Sequence, residues 1–301
     1  MHTSATPAAV STPSPAAVLE LLKPVTWFPP MWAFACGAVS SGADIGTRPL
    51  VVLAGVLLAG PLLCATSQAV NDWYDRHVDA INEPHRPIPS GRVPGRWGLA
   101  IAIAWSVVSM LVAASLGPFV FAAAALGLVL AWAYSAPPLR LKRNGWWGNS
   151  AVALSYEGLP WVTGAAVMLG GAAPPAQVFV LAALYSAGAH GIMTLNDFKA
   201  IEGDVRTGVR SLPVRLGAAR AARVACWAMV VPQVAVAGVL LYWARPGYAA
   251  AVLVVTLVQM VLMVRLLRDP RAFAPWYNAT GVSLYVSGML ISAFALAGMS
   301  A

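Results

Sequence analysis

The sequence predicts an all-α fold, a polytopic membrane bundle of about nine transmembrane helices. Composition carries the first part of that prediction: 59% of the 301 residues are hydrophobic and only 10% are charged, against roughly 25% charged in an average soluble domain. Mean hydropathy is +0.71. The apolar residues are also gathered into stretches of about 20, the length a helix needs to cross a bilayer. These run over roughly 25–42, 49–70, 97–116, 118–136, 149–170, 175–195, 219–243, 247–267 and 277–299.

Taken in order, the segments give one domain with a tail. The first residues are rich in Ala, Ser, Thr and Pro, with no basic start ahead of an apolar core. They read as a disordered cytoplasmic tail over 1–20 rather than a cleaved signal peptide. No linker divides the rest of the chain, so 21–301 reads as a single transmembrane domain. Pro24, Pro29 and Pro30 predict a kinked or late start for the first helix. Cys36, Cys64 and Cys226 fall inside apolar segments at unrelated spacing, as buried free thiols would.

The net charge of +8 reflects membrane orientation and not nucleic-acid binding. With nine helices and a cytoplasmic start, 17 of the 19 Lys and Arg fall in the N-terminal tail and the loops after the second, fourth, sixth and eighth helices. Only Arg48 and Arg245 fall outside, which is the positive-inside pattern. The N-terminal tail and both acidic stretches below are therefore expected on the cytoplasmic face of the membrane.

Two acidic stretches interrupt this apolar chain. The first, 71–79, reads Asn-Asp-Trp-Tyr-Asp-Arg-His-Val-Asp; the second, 196–204, reads Asn-Asp-Phe-Lys-Ala-Ile-Glu-Gly-Asp. Together they hold six of the eleven carboxylates. Each comes after a long apolar segment, and four helices separate them, as a duplicated four-helix unit would give. Asp72, Asp75 and Asp79 stand at i, i+3 and i+7 and share one helix face. Three anions at a helix C-terminus repel each other and the helix dipole. A divalent cation reverses that balance, and oxygen-only ligands favour Mg²⁺.

In the second stretch Asp197 and Asp204 are seven apart with Glu202 between them, although Gly203 makes a shared face less secure. Mg²⁺ takes a few carboxylates plus substrate phosphates, so the two stretches read as halves of a metal–diphosphate clamp. Arg76, Arg86, Lys142 and Lys199 are the cations placed to neutralise phosphate oxygens, with Asn71 and Asn196 at the two motif starts. Loop 71–96 has three prolines within 84–89 and reads as a lid or a phosphate-facing wall.

Loss of a diphosphate from an allylic group leaves a carbocation that needs a dry, π-rich wall. Tyr134, Trp146 and Tyr156 are candidates for that wall. Glu157 is a lone carboxyl inside an apolar helix, a functional candidate by position. His190, six residues before Asn196, is placed either to meet a substrate or to make ordinary core hydrogen bonds.

These residues resemble the UbiA-type intramembrane prenyltransferases. The resemblance rests on Asn71-Asp72-x-x-Asp75-x-x-x-Asp79, on the 196–204 stretch, and on Tyr134-Ser135-Ala136-Pro137-Pro138 leading to Lys142. Within the family, the runs 79–91, 139–149 and 195–204 are most similar to the chlorophyll and bacteriochlorophyll synthase group, and 91–98 to its bacterial members. The resemblance implies an esterification in which a C20 prenyl diphosphate, geranylgeranyl or phytyl, is ionised with Mg²⁺. The propionate of a bacteriochlorophyllide then captures the allylic carbon. It implies that Asp72, Asp75 and Asp79 hold one metal and that Asp197 and Asp204 hold the other. Many family members carry an aspartate where this chain has Ala200, and Glu202 is the substitute at hand. Membrane lipid, and other pigment-pathway proteins, are the remaining implied partners. A quinone precursor or haem as acceptor stays open as the alternative within the family, and a pigment carrier as the alternative outside it.

Overall fold

A computed structural model describes residues 12–300, the side chain of Ser300 apart. It is built from helices and contains no strand among the described residues. Helix α1 (Pro15–Leu22) precedes α2 (Phe28–Ser40). The long α3 (Pro49–Asn82) and the paired α4 (Trp97–Leu116) and α5 (Pro118–Ser135) come after them. Next are α6 (145–168), α7 (Ala176–Thr207) and the short α8 (Leu212–Leu216), then α9 (Ala218–Tyr242), α10 (Pro246–Arg268) and α11 (Pro270–Ser300). Seven of these, α3, α4, α5, α7, α9, α10 and α11, are long and apolar enough to cross a membrane.

The expected count of nine is not met on that measure. The first expected span yields only the 13 residues of α2. Its prolines start the helix: Pro29 and Pro30 sit in the first turn, where the missing N–H has no intrahelical partner to lose. The fifth is α6, which carries Asn149 and Glu157 and is broken by a π-helical turn at Leu154–Gly158. The tail also needs correction. Pro15–Leu22 is helical, started by Ser14, whose side chain accepts from the Ala17 amide, and by a proline in the first turn. Residues 1–11 of the expected tail lie outside the described residues.

Lengths position the two acidic stretches. At 1.5 Å per residue, the 34 residues of α3 and the 32 of α7 span about 50 Å each, some 20 Å more than a bilayer's hydrocarbon core. The excess of each helix is its polar C-terminal part, the acidic stretch itself. The 26-residue segment 71–96 therefore begins as helix, and only 83–96 is loop. That loop is held down: Val93 is buried beside Leu21 and Leu22 of α1, and Arg92 pairs with both Glu20 oxygens at 2.5 and 2.8 Å.

Helices pack through small residues, as lipid-embedded helices do. A Cβ at Gly37 of α2 would collide with the Trp161 carbonyl oxygen, and one at Gly164 of α6 with that of Phe34. Beneath this crossing the Trp161 ring stacks on Tyr185 at 5.4 Å, and Tyr285 meets Tyr185 edge-on at 5.5 Å. Gly164→Val is expected to destabilise the bundle by about 1–3 kcal/mol, since backbone on both sides cannot yield. Thermal unfolding in detergent reads this directly, and an unchanged Tm would contradict so close a crossing. Cys36, Cys64 and Cys226 are free and buried, as their positions imply.

Candidate active site

The first acidic stretch lies on α3, so its three aspartates share a face, but the nearest cation differs for each. Asp72 is 1% exposed, and its Oδ1 accepts from Lys23 Nζ at 2.6 Å and from Arg86 at 3.5 Å. Its Oδ2 is buried without a partner. Asp79 accepts from Arg86 at 2.9 Å. Asp75 accepts from Lys142 Nζ at 2.5 Å and from the Asn71 amide at 3.0 Å, and Asn71 also donates to Ser135. Burial works against the Arg86 charge, but Asp72, Asp79 and Glu83 outweigh it and hold its pKa above the ordinary value. At Lys142 burial wins over the pull of Asp75, so its pKa falls below the usual lysine range. Among the described residues no three His, Cys, Asp or Glu side chains form a preformed metal cage. Repulsion within the acidic face is relieved by Lys23, Arg86 and Lys142 instead.

The second stretch is not one regular helix turn. Asp197–Ala200 tightens into a 3₁₀ turn before Ile201–Thr207 resumes, and the chain then reverses at Gly208 with φ 72°. Asp197 accepts from Asn149 of α6 at 3.0 Å, and Asn196 accepts from Asn278 of α11 at 2.8 Å. Glu202 is exposed, while Asp204 is partly buried. The connector carrying Lys142 joins the two halves: the amide of Gly145 donates to the Arg210 carbonyl, and that of Arg210 to Arg143, both at 3.0 Å.

Both stretches border one cavity of about 650 Å³. Its polar rim is formed by Asn71, Tyr134, Asn196, Lys199 and Asn278. From Asn71 it runs along α3 down to Leu58, thirteen residues and so about 20 Å of helix. Ala123, Ala124 and Leu159 are among the residues that make the lower part apolar. Tyr134 stands within electrostatic reach of Asp197, Asp75 and Asp204, so carboxylates of both stretches lie near this one residue of the cavity.

Comparison with known proteins identifies the fold. The sequence profile of the UbiA prenyltransferase family matches residues 24–296. The chain belongs to the UbiA prenyltransferase family. It is 56% identical over 296 residues to the bacteriochlorophyll synthase 33 kDa chain of Rhodobacter capsulatus, covering 98% of this chain and 97% of that protein. It is 40% identical to the chloroplastic chlorophyll synthase of Oryza sativa subsp. japonica, over 92% of this chain and 76% of that one. The fold matches a UbiA homolog from Archaeoglobus fulgidus bound to DMAPP and Mg²⁺, with a TM-score of 0.72 at 21% identity over 91% of this chain and 99% of that chain. The protein is thus a prenyltransferase of the membrane-integral UbiA fold.

Several expected site residues lie elsewhere. Arg76 donates to the Trp73 carbonyl at 2.6 Å and covers the Trp73 ring at 4.1 Å, so it is occupied away from the aspartates. Trp146 and His190 stack on each other at 5.4 Å and are absent from the cavity lining. His190 Nδ1 bonds to Ser150, and its Nε2 is buried without a partner. Tyr156 and Glu157 do line the cavity, and the Tyr156 hydroxyl accepts from Gln68 at 3.0 Å. Lys23, Gln68, Asn149 and Asn278 are the polar participants that sequence reasoning passed over. Asn149 and Gln68 carried a usable signal, as amides inside apolar helices; Lys23 and Asn278 carried none beyond their charge or polarity.

Proposed function

We propose that this chain transfers a C20 prenyl group, geranylgeranyl or phytyl, from its diphosphate to the propionate carboxylate of a bacteriochlorophyllide. The near-full-length 56% identity to a bacteriochlorophyll synthase chain carries that reading, and the cavity gives it a physical basis. The allylic C–O bond breaks with its electron pair leaving on the diphosphate. A carboxylate oxygen of the acceptor then forms the ester bond to the same carbon. The acceptor is already anionic at neutral pH, so no strong base is needed.

The donor set fits Mg²⁺: all the candidate ligands are oxygens, and Asp72 retains a buried oxygen without a partner. Asp72, Asp75 and Asp79 would hold one ion, and Asp197 and Asp204 a second. When bound, Mg²⁺ supplies the positive charge that makes diphosphate a competent leaving group. Lys142 and Arg86 would pass from carboxylate to phosphate oxygens as substrate enters, joined by Lys199, with Asn71 and Asn196 donating beside them. The apolar lower cavity shields the allylic cation from water, and Tyr134 presents its ring at the rim.

Orientation comes from the basic loops: the rim, the acidic stretches and the N-terminus face the cytoplasm, where both substrates are made. In washed membranes containing the chain, a metal chelator is expected to abolish ester formation, and excess Mg²⁺ to restore it. Ester formation persisting under chelation would remove the metal from this account.

A further inference from the structure

One polar group in the cavity has no role in handling diphosphate. Glu157 is 3% exposed, lines the cavity, and has a buried Oε2 without a hydrogen-bond partner. Its neighbours on this wall are already satisfied: Tyr156 is bonded to Gln68 and to Cys64. The backbone is shaped at this point as well. Leu154–Gly158 departs from α to π geometry inside an otherwise regular helix, a local irregularity that recurs at functional sites because it re-aims side chains. With no cation paired to it among the described residues, an isolated buried carboxyl retains its proton rather than carry a buried charge. It is then a hydrogen-bond donor in an apolar wall.

A hydrocarbon chain offers such a donor nothing, so its partner is an oxygen on the other substrate. Depth narrows the choice. Tyr156, the residue before Glu157, bonds to Gln68 and Cys64, which lie three and seven residues below Asn71 of the rim on α3, about 5 to 10 Å along the helix. The acceptor's carboxylate must reach the rim to meet the allylic carbon. Its macrocycle then hangs into the cavity, with the edge opposite the propionate at the level of Glu157. A bacteriochlorophyllide of the a type carries an acetyl group on that edge, where chlorophyllide carries a vinyl group. We propose that Glu157 is a specificity-determining residue that donates a hydrogen bond to this peripheral carbonyl and so selects acetyl-bearing over vinyl-bearing tetrapyrroles. The inference rests on the proposed pigment acceptor.

The test measures KM for bacteriochlorophyllide a and for its vinyl analogue, which differs only at that group, in wild type, Glu157→Gln and Glu157→Leu, with C10 and C20 prenyl diphosphates. The preference for the acetyl-bearing acceptor is expected to shrink about 10-fold in Glu157→Leu, the loss of about one hydrogen bond. Glu157→Gln, whose amide still donates, should retain most of it. An equal KM change for both acceptors would overturn the proposal. So would a change that tracks prenyl length instead, which would assign Glu157 to the prenyl wall. Tm of each purified variant separates these outcomes from misfolding, and the isosteric glutamine variant decides if the leucine variant fails to fold. If wild type esterifies neither pigment, the pigment reading itself fails, and the assignment of Glu157 fails with it.

Discussion

Asp72→Ala is expected to lower ester formation by at least about 100-fold, the scale on which loss of one group that stabilises transition-state charge is felt. Asp72 is the most buried carboxylate of the first stretch and the one with an unpartnered oxygen. It also sets the positions of Lys23 and Arg86. Removing it takes away an anion needed for Mg²⁺ and leaves two cations facing one another. Asp72→Asn keeps the shape without the charge, so it should fail nearly as badly while its Tm stays close to wild type. Initial rates at matched expression, with Tm of the purified variants, check both. An asparagine variant within about threefold of wild type would show that the charge of Asp72 is dispensable.

In the second stretch the expected effects are unequal. Asp197→Ala should also cost about 100-fold or more, because its carboxylate is held by Asn149 next to Asn196, which lines the cavity. Glu202→Ala should stay within about threefold, since Glu202 is exposed, in the helical segment after the 3₁₀ turn. A Mg²⁺ titration of each variant decides the ligand set of this half. The Asp197 variant should require more metal and the Glu202 variant should not. A Glu202 variant as damaged as the Asp197 one would mean that Glu202 replaces the aspartate missing at Ala200.

The helical bundle and the first acidic face were legible because both are periodic. Apolar stretches of membrane length identify the spans, and the i, i+3, i+7 spacing survives because α3 is regular α-helix from Ala65 to Asn82. The second face was less legible, since a 3₁₀ turn changes which residues share a side and the spacing of Asp197 and Asp204 does not encode it. Helix α1 escapes sequence reasoning for a different reason: its composition resembles a tail, and only Ser14 and Pro15 announce its start. Lys23 reads as an orienting charge because its partner, Asp72, lies 49 residues away. The convergence of Asn196 with Asn278, and the stacking that takes Trp146 and His190 off the cavity wall, are products of helix packing. No local pattern records such contacts. Glu157 is the opposite case: a single carboxyl in an apolar helix is conspicuous in one dimension and lines the cavity in three.

The most direct test supplies wild-type membranes with Mg²⁺ and geranylgeranyl diphosphate, and offers bacteriochlorophyllide, a quinone-precursor aromatic acid and haem in parallel. Mass analysis then identifies the prenylated product. The account predicts prenyl bacteriochlorophyllide, formed one for one with released diphosphate, and no product from the other two acceptors. Prenylation of the aromatic acid or of haem, with the pigment left unesterified, would contradict it.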